Sequence, residues 1–326
     1  MHQEKNNSQR IFEYLQGRFG KHLKLLMLPY KRDMWDSFEG IYRIANSTPG
    51  CSADVMPIPY TLKGMPENAR KWFMDDFNDV CSRDIVDYQK RPKKGEYDVI
   101  LIHNPYDNEN YVTSVHPAFY SDRLKGLSRA LCLVPYGIGL ICLITPGVFN
   151  CDIVFAENDQ IVKSFRAQMK KEGVTDEELD VICRKFIVIG SPKHDLNLNQ
   201  HVPEEWLPRI HDRKVVLLAT SLQAFLNDPA GEMAKIGNII TEITRDPNTI
   251  LIWREHPLMM PTILTMRPQY VEEYGRFRKN FEEQKIGIID KTRDYRIAFS
   301  VADVLYSDPS SLVEVWKDTG KEMYVI

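Results

Sequence analysis

Ile250-Leu251-Ile252-Trp253-Arg254-Glu255-His256-Pro257 is an apolar run of strand type that stops abruptly at an arginine, a histidine and a chain-breaking proline. Further on, Asp303-Val304-Leu305-Tyr306-Ser307-Asp308-Pro309-Ser310-Ser311 repeats the arrangement, with serines and an aspartate at the strand end. In open α/β sheets ligands collect beyond the carboxyl ends of the strands. Two such ends, both rich in groups that hold phosphate, point to a phosphorylated or nucleotide-linked ligand.

The flanking sequence supplies the rest of the fold. Residues 215–219 form a continuous aliphatic run, and Ile236, Ile239, Ile240 and Ile243 share one face of a helix that ends before Pro247. Tyr270, Tyr274, Phe277 and Phe281 mark another helix, and residues 286–289, 304–306 and 323–326 read as strands. In the first half, residues 23–28, 53–58, 98–103, 130–134, 153–156 and 186–189 have strand character. Residues 36–45 and 157–171 read as helices, and Thr175 with Glu178 forms a capping box. This alternation predicts an α/β chain with two parallel-sheet, Rossmann-like domains facing a cleft. A polar, proline-containing stretch at 194–212 reads as the linker, so the domains are expected at residues 1–200 and 201–326. The chain stops at Ile326, in or just after a strand, so the second domain is expected to be incomplete at its C-terminus.

Formal net charge is −3 with 27% charged residues, which gives no electrostatic case for nucleic acid. Cys51, Cys81, Cys132, Cys142, Cys151 and Cys183 are scattered, with neither a C-x-x-C pair nor a zinc-like grouping. The polar N-terminus lacks the apolar segment of a signal peptide, so a cytoplasmic protein with reduced thiols is expected. Residues 131–149 are uncharged, but Pro135, Gly137, Gly139, Pro146 and Gly147 would break a lipid-exposed helix. A buried strand followed by an apolar loop able to touch a membrane surface is the better description.

The polar residues at the strand ends admit two readings each. Asp308 as N-cap and Pro309 at the first helical position would open a helix toward Gly320, leaving the N–H groups of Ser310 and Ser311 to an anion. The plainer alternative is an ordinary helix served by Asp308 alone. Arg254 offers a planar fork of donors to phosphate and His256 a donor or a proton, or else Arg254 pairs with a carboxylate and His256 caps a turn. Gly190-Ser191-Pro192-Lys193 is a third strand-end loop, a ligand contact or a plain turn. His103 and His116 follow strands in the first half, where a histidine is as readily structural as catalytic. Neither a Walker loop nor a G-x-G-x-x-G is present.

Taken in order, Gly190-Ser191-Pro192-Lys193-His194-Asp195, Arg254-Glu255-His256-Pro257 and Ser307-Asp308-Pro309-Ser310-Ser311 resemble the CDP-glycerol glycerophosphotransferase family, the teichoic-acid polymerases and primases of GT-B fold. The likeness runs over about residues 155–326. It implies a metal-independent enzyme without a cofactor, which moves glycerol-phosphate or another polyol-phosphate from CDP to a hydroxyl of a cell-surface polymer or its lipid-linked precursor. The implied place is the inner face of the plasma membrane, with peripheral membrane contact. By the same resemblance the donor diphosphate is held mainly by the second domain, through Arg254, Ser307, Asp308, Ser310 and Ser311, with Gly190, Ser191 and Lys193 also in contact, His256 is catalytic, and the first domain serves the acceptor. The family's histidine in a His-Gly loop is replaced here by Val134-Pro135-Tyr136-Gly137, so His103 or His116 is the expected base. A GT-B glycosyltransferase or epimerase using a nucleotide sugar, and a non-catalytic nucleotide-binding relative, are the alternatives.

Overall fold

A computed structural model describes residues 5–65, 68, 70–139 and 144–326. The chain forms two compact units: Met1–Leu62 with Arg70–Asp195 (unit 1), and Lys63–Ala69 with Leu196–Ile326 (unit 2). The strands of unit 1 are β1 (Lys24–Leu28), β2 (Ser52–Val55), β3 (Tyr60–Leu62), β4 (Val99–Ile102), β5 (Thr113–Val115), β6 (Ala130–Leu133), β7 (Ile153–Ala156) and β8 (Phe186–Val188). Those of unit 2 are β9 (Lys214–Thr220), β10 (Thr249–Glu255), β11 (Ile288–Ile289), β12 (Val304–Ser307) and β13 (Glu322–Val325).

Unit 1 is built on a parallel sheet in the order β2-β1-β4-β6-β7-β8, with β3 and β5 as a separate antiparallel pair. Successive side chains on a strand point to opposite faces. Leu26, Leu28, Ile100, Ile102, Leu131 and Leu133 accordingly join one core, while Leu25, Met27, Val99, Leu101, Ala130 and Cys132 join the other. Both faces are covered, which is why these strands are unbroken apolar runs rather than alternating ones. Unit 2 is a second parallel sheet, ordered β11-β10-β9-β12-β13. On one face Val216, Leu218, Leu251 and Trp253 pack with Met233, Ile236, Tyr274 and Phe281. Glu255 accepts from the Tyr274 hydroxyl at 2.5 Å and from Arg278 Nε at 2.6 Å, so the carboxylate beside Arg254 anchors the Val271–Glu283 helix.

The expected α/β class and the parallel sheets are what the chain adopts, although several strands are shorter than their apolar runs. The helix Asn7–Phe19 and the β3–β5 pair had no reading in the sequence. Part of the apolar 131–149 stretch, residues 140–143, lies outside the described residues; its flanks are β6 and the short helix Pro146–Asn150. Among the described residues no helix is long and apolar enough to cross a membrane.

The Asn7–Phe19 helix lies against the Asp36–Ser47 helix, where Gly40 leaves room for Ser8: a Cβ there would sit 2.1 Å from Ser8 Oγ. Its exposed N–H groups are met from both sides. Asn6 accepts from Gln9 N at 2.9 Å, and Asp195 accepts from Asn7 N at 2.8 Å, Ser8 N at 2.7 Å and Ser8 Oγ at 2.5 Å. Truncating Asp195 strands those donors, with Ser8 fully buried. Asp195→Ala is expected to lower unfolding free energy by about 1–3 kcal/mol, read from urea denaturation midpoints. A loss below about 0.5 kcal/mol would show that the helix start does not need this carboxylate.

Candidate functional site

In unit 2 the chain leaves β9 toward β10 and β11 on one side and returns to place β12 and β13 on the other. The strand order therefore reverses between β9 and β12, and such switch points open the crevice in which α/β sheets bind ligands. β9 ends in Thr220 followed by Ser221, and β12 ends in Ser307 followed by Asp308. Asp308 is 1% exposed; its carboxylate accepts from Ser221 N at 2.7 Å and from Lys235 Nζ at 2.6 Å, and its N–H donates to Ala219 O at 3.3 Å. Lys235 also meets Glu232 at 2.7 Å. Burial, then the neighbouring Asp308, pushes the Glu232 carboxyl above its ordinary range.

These bonds correct the expected helix start. Asp308 does not cap: the helix is Ser311–Lys317, and its N-cap is Ser310, whose side chain makes no capping bond. Ser310 Oγ instead lies 3.4 Å from Ser307 Oγ. The plainer alternative, a helix served by Asp308 alone, therefore fails. Ser307 is buried and Ser310 and Ser311 are half-buried beside the switch point.

Arg254 and Ser307 both align with Ala219, on opposite sides of β9. The Arg254 side chain is 5% exposed and bonds Asp290, which is buried at the end of the neighbouring β11 segment, and Thr292 O at 3.2 Å. The carboxylate-pairing alternative thus describes Arg254. His256 Nδ1 accepts from Leu258 N at 3.1 Å, which caps the turn and leaves the ring proton of the neutral form on Nε2. A separate depression of about 450 Å³, lined by Trp206, Arg209, Gly287, Ile288, Lys291 and Thr292, runs along the edge strand β11.

In unit 1 the strand-end residues divide into fillers and anchors. His103 is fully buried, stacked on Phe38 with ring centroids 4.9 Å apart. Tyr30 N donates to its Nε2 at 3.2 Å, while Nδ1 lies 3.2 Å from Ser37 Oγ, itself a donor to Met34 O. Nε2 is therefore the acceptor and Nδ1 carries the proton. Burial, reinforced by the Lys193 ammonium, pulls the imidazole down to about 3. Both nitrogens serve the fold, and His103 is not a base for an outside hydroxyl in this arrangement. His116 is half-buried, accepts from Ala118 N at 3.2 Å and packs on Trp72; burial and Arg91 hold it below its ordinary range.

The 190–195 loop is mostly anchor. Gly190 has φ of +119° and meets Asn7, whose side chain donates to Ser191 O at 3.0 Å. Ser191 Oγ accepts from Lys193 N at 3.3 Å, and Lys193, 7% exposed, is paired with Asp36. His194 stands differently: its Nε2 is 3.5 Å from Glu157 Oε1, with side-chain exposures of 25% and 18%. Glu157 also accepts from Gly139 N at 2.9 Å, and these bonds hold its carboxyl below the ordinary range. Ser221, Lys235, Glu232 and Glu157 were not singled out by sequence reasoning, and His194 entered only as part of the 190–195 motif. Thr220-Ser221, directly following a recognised strand, was the available signal; Lys235 had none beyond its spacing from Glu232.

No family model matches the chain, and no curated protein matches it. Solved structures do. The UDP-GlcNAc 2-epimerase from Neisseria meningitidis bound to UDP-GlcNAc is similar at TM-score 0.56 and 13% identity, over 93% of this chain and 82% of that one. The Methanocaldococcus jannaschii UDP-GlcNAc 2-epimerase in complex with UDP-GlcNAc and UDP is similar at TM-score 0.53 and 13% identity, over 92% and 83%. The wall teichoic acid polymerase TagF matches at TM-score 0.49 and 11% identity, over 99% and 75%, too low to bear on the fold. At such identities the likeness to the epimerases establishes the fold alone, an α/β chain of GT-B type.

The state of His103 has a consequence for stability. Below pH 6.5 the unfolded chain protonates this imidazole while the native chain holds it neutral to about 3. The unfolded state then binds more protons, so the stability this residue confers is intact above 6.5 and drains as pH falls toward 3. The slope approaches about 1.4 kcal/mol per pH unit. In His103→Gln the loss between pH 7 and pH 4.5 is expected to be shallower than in the natural chain, measured by urea midpoints at each pH. Equal slopes would show that His103 titrates normally.

Proposed function

We propose that this chain binds a CDP-linked polyol through unit 2 and transfers the polyol-phosphate to a hydroxyl of a teichoic-acid-like polymer or its lipid-linked precursor. The observation that carries the reading is the switch point between β9 and β12, framed by Thr220, Ser221, Ser307 and Asp308. A diphosphate needs donors there without an opposing free carboxylate. The Asp308 charge is taken up by Lys235 and the Ser221 N–H, and Glu232 is paired with the same lysine. Ser310 and Ser311 then supply hydroxyls, while the buried Ser307 hydroxyl donates to Asp308 O at 2.8 Å, and the first-turn N–H groups of the Ser311–Lys317 helix lack a capping side chain. Arg254 and His256 stand on the far side of β9, where Arg254 holds the Asp290 end of the neighbouring strand.

Transfer proceeds by in-line attack of the acceptor oxygen on the phosphorus that bears the polyol, with CMP leaving. Positioning and charge stabilisation supply most of the acceleration in such reactions. We assign it neither metal nor cofactor. Acceptor binding is assigned to unit 1, at the inner face of the plasma membrane.

A second reading, an epimerase or glycosyltransferase using a nucleotide sugar, is favoured by the likeness to the two UDP-GlcNAc 2-epimerases. Calorimetric titration separates them. CDP-glycerol is expected to bind at least tenfold more tightly than UDP-GlcNAc, and Lys235→Met to weaken CDP binding about tenfold, equivalent to about 1.4 kcal/mol. Tighter binding of UDP-GlcNAc would overturn the polyol reading in favour of the sugar one. Undiminished CDP affinity in Lys235→Met would remove the switch point as the phosphate site.

A further inference from the structure

We infer that the Glu232 carboxyl takes up a proton from solvent when a diphosphate engages Lys235, an inference that rests on the diphosphate reading of the switch point given above. Three charged groups meet there, all within unit 2. The Lys235 ammonium lies 2.6 Å from Asp308 Oδ1 and 2.7 Å from Glu232 Oε2. With both carboxylates ionised the cluster carries a net negative charge, yet the ligand that approaches it is an anion. Asp308 has both oxygens bonded, since its Oδ2 accepts from Ser221 N at 2.7 Å. Glu232 has only one: its side chain is 5% exposed, and Oε1 is buried with no hydrogen-bond partner among the described residues. A buried carboxylate oxygen without a donor is costly, and a proton on that carboxyl removes the charge that makes it so.

The other charges around Glu232 are already committed. The helix Leu222–Asn227, packed on the Pro229–Ile243 helix that carries Glu232 and Lys235, has no titratable side chain, and Asp228 between the two is exposed and accepts from Gly231 N at 3.0 Å. At the end of β10, Glu255 is bonded by Tyr274 and Arg278, and Arg254 is paired with Asp290. Asp308, from the end of β12, is the remaining neighbour. Burial and Asp308 hold the Glu232 carboxyl above its ordinary range, against the pull of Lys235. A diphosphate adds negative charge and draws on the same ammonium, so it raises that carboxyl further. The complex then binds more protons than the free chain, and donor affinity rises as pH falls, by at most about tenfold per pH unit for one proton. Lys235 is a third exposed; with Glu232 neutral, its ammonium stays paired with Asp308 and turns its other N–H donors to the phosphate. Glu232 is thus a positioning residue that yields the lysine to the ligand.

The test is calorimetric titration of the full chain with CDP-glycerol, whose diphosphate diester does not itself titrate between about pH 5.5 and 8, in two buffers of different ionisation enthalpy. The natural chain is expected to take up about half a proton or more on binding near neutral pH, and to bind at least about threefold more tightly at pH 5.5 than at pH 8. Glu232→Gln, which keeps the shape of the protonated side chain, is expected to take up no proton, to lose the pH dependence, and to bind about threefold or more tightly than the natural chain at pH 8. A gain of affinity is a readout that a merely structural role for Glu232 would not produce. A natural chain that binds CDP-glycerol with no difference between buffers would overturn the inference and leave the diphosphate reading standing, and this arm needs no variant. Equal proton uptake in Glu232→Gln and the natural chain would do the same. A natural chain that binds no CDP-glycerol at any pH in this range would overturn both.

Discussion

Burial of both faces of each parallel sheet is the constraint from which the rest of the structure follows. A strand covered above and below must be apolar along its length, since any polar side chain there would lose water without a partner. The polar and charged residues of these strands are therefore displaced to the ends, where the backbone turns into a loop. Leu101 and Ile102 lead to His103, Ala156 to Glu157, Thr220 to Ser221, Trp253 to Arg254, and Leu305 and Tyr306 to Ser307 and Asp308. Chemistry collects at one edge of each unit because the interior has no room for it.

Charge at those edges is mostly neutralised in pairs. Lys193 with Asp36, Arg254 with Asp290 and Lys235 with Asp308 each join a cation to a carboxylate that is nearly or fully buried. Removing one partner of such a pair is costly, typically about 3–5 kcal/mol, because the other charge is left stranded. The pairs hold loops in place more than they present charge to a ligand. Among the described residues at the end of β12 and beside it, Ser310, Ser311 and the exposed part of Lys235 remain within reach of the surface. A site built this way is rigid before its ligand arrives, and binding then spends less free energy on ordering side chains.

The apolar runs were legible as strands because double burial writes itself as unbroken Val, Ile and Leu. Residues 153–156 and the Thr175–Glu178 capping box were read to the residue, since both depend on local pattern alone. The β3–β5 pair was not legible: three-residue strands such as Tyr60–Leu62 carry too little periodicity to stand out. Partners across long separations were equally hidden. Asp308 looked like an N-cap because Pro309 follows it, yet Ser221 N and Lys235 claim it from distant positions in the chain. His103 looked accessible at a strand end, and only the ring of Phe38 and the Tyr30 N–H show that it is core. Glu157 and His194 could not be joined from sequence, since nothing local ties the two loops together.

The central claim is that the switch point of unit 2 holds a nucleotide's diphosphate. A crystal structure of the chain with CDP tests it most directly. The account predicts the two phosphates beside residues 307–311, with Lys235 Nζ and at least one of Ser307, Ser310 or Ser311 within about 3.2 Å of phosphoryl oxygens. CDP seated instead in the depression along β11, or with its phosphates away from both β9 and β12, would contradict it.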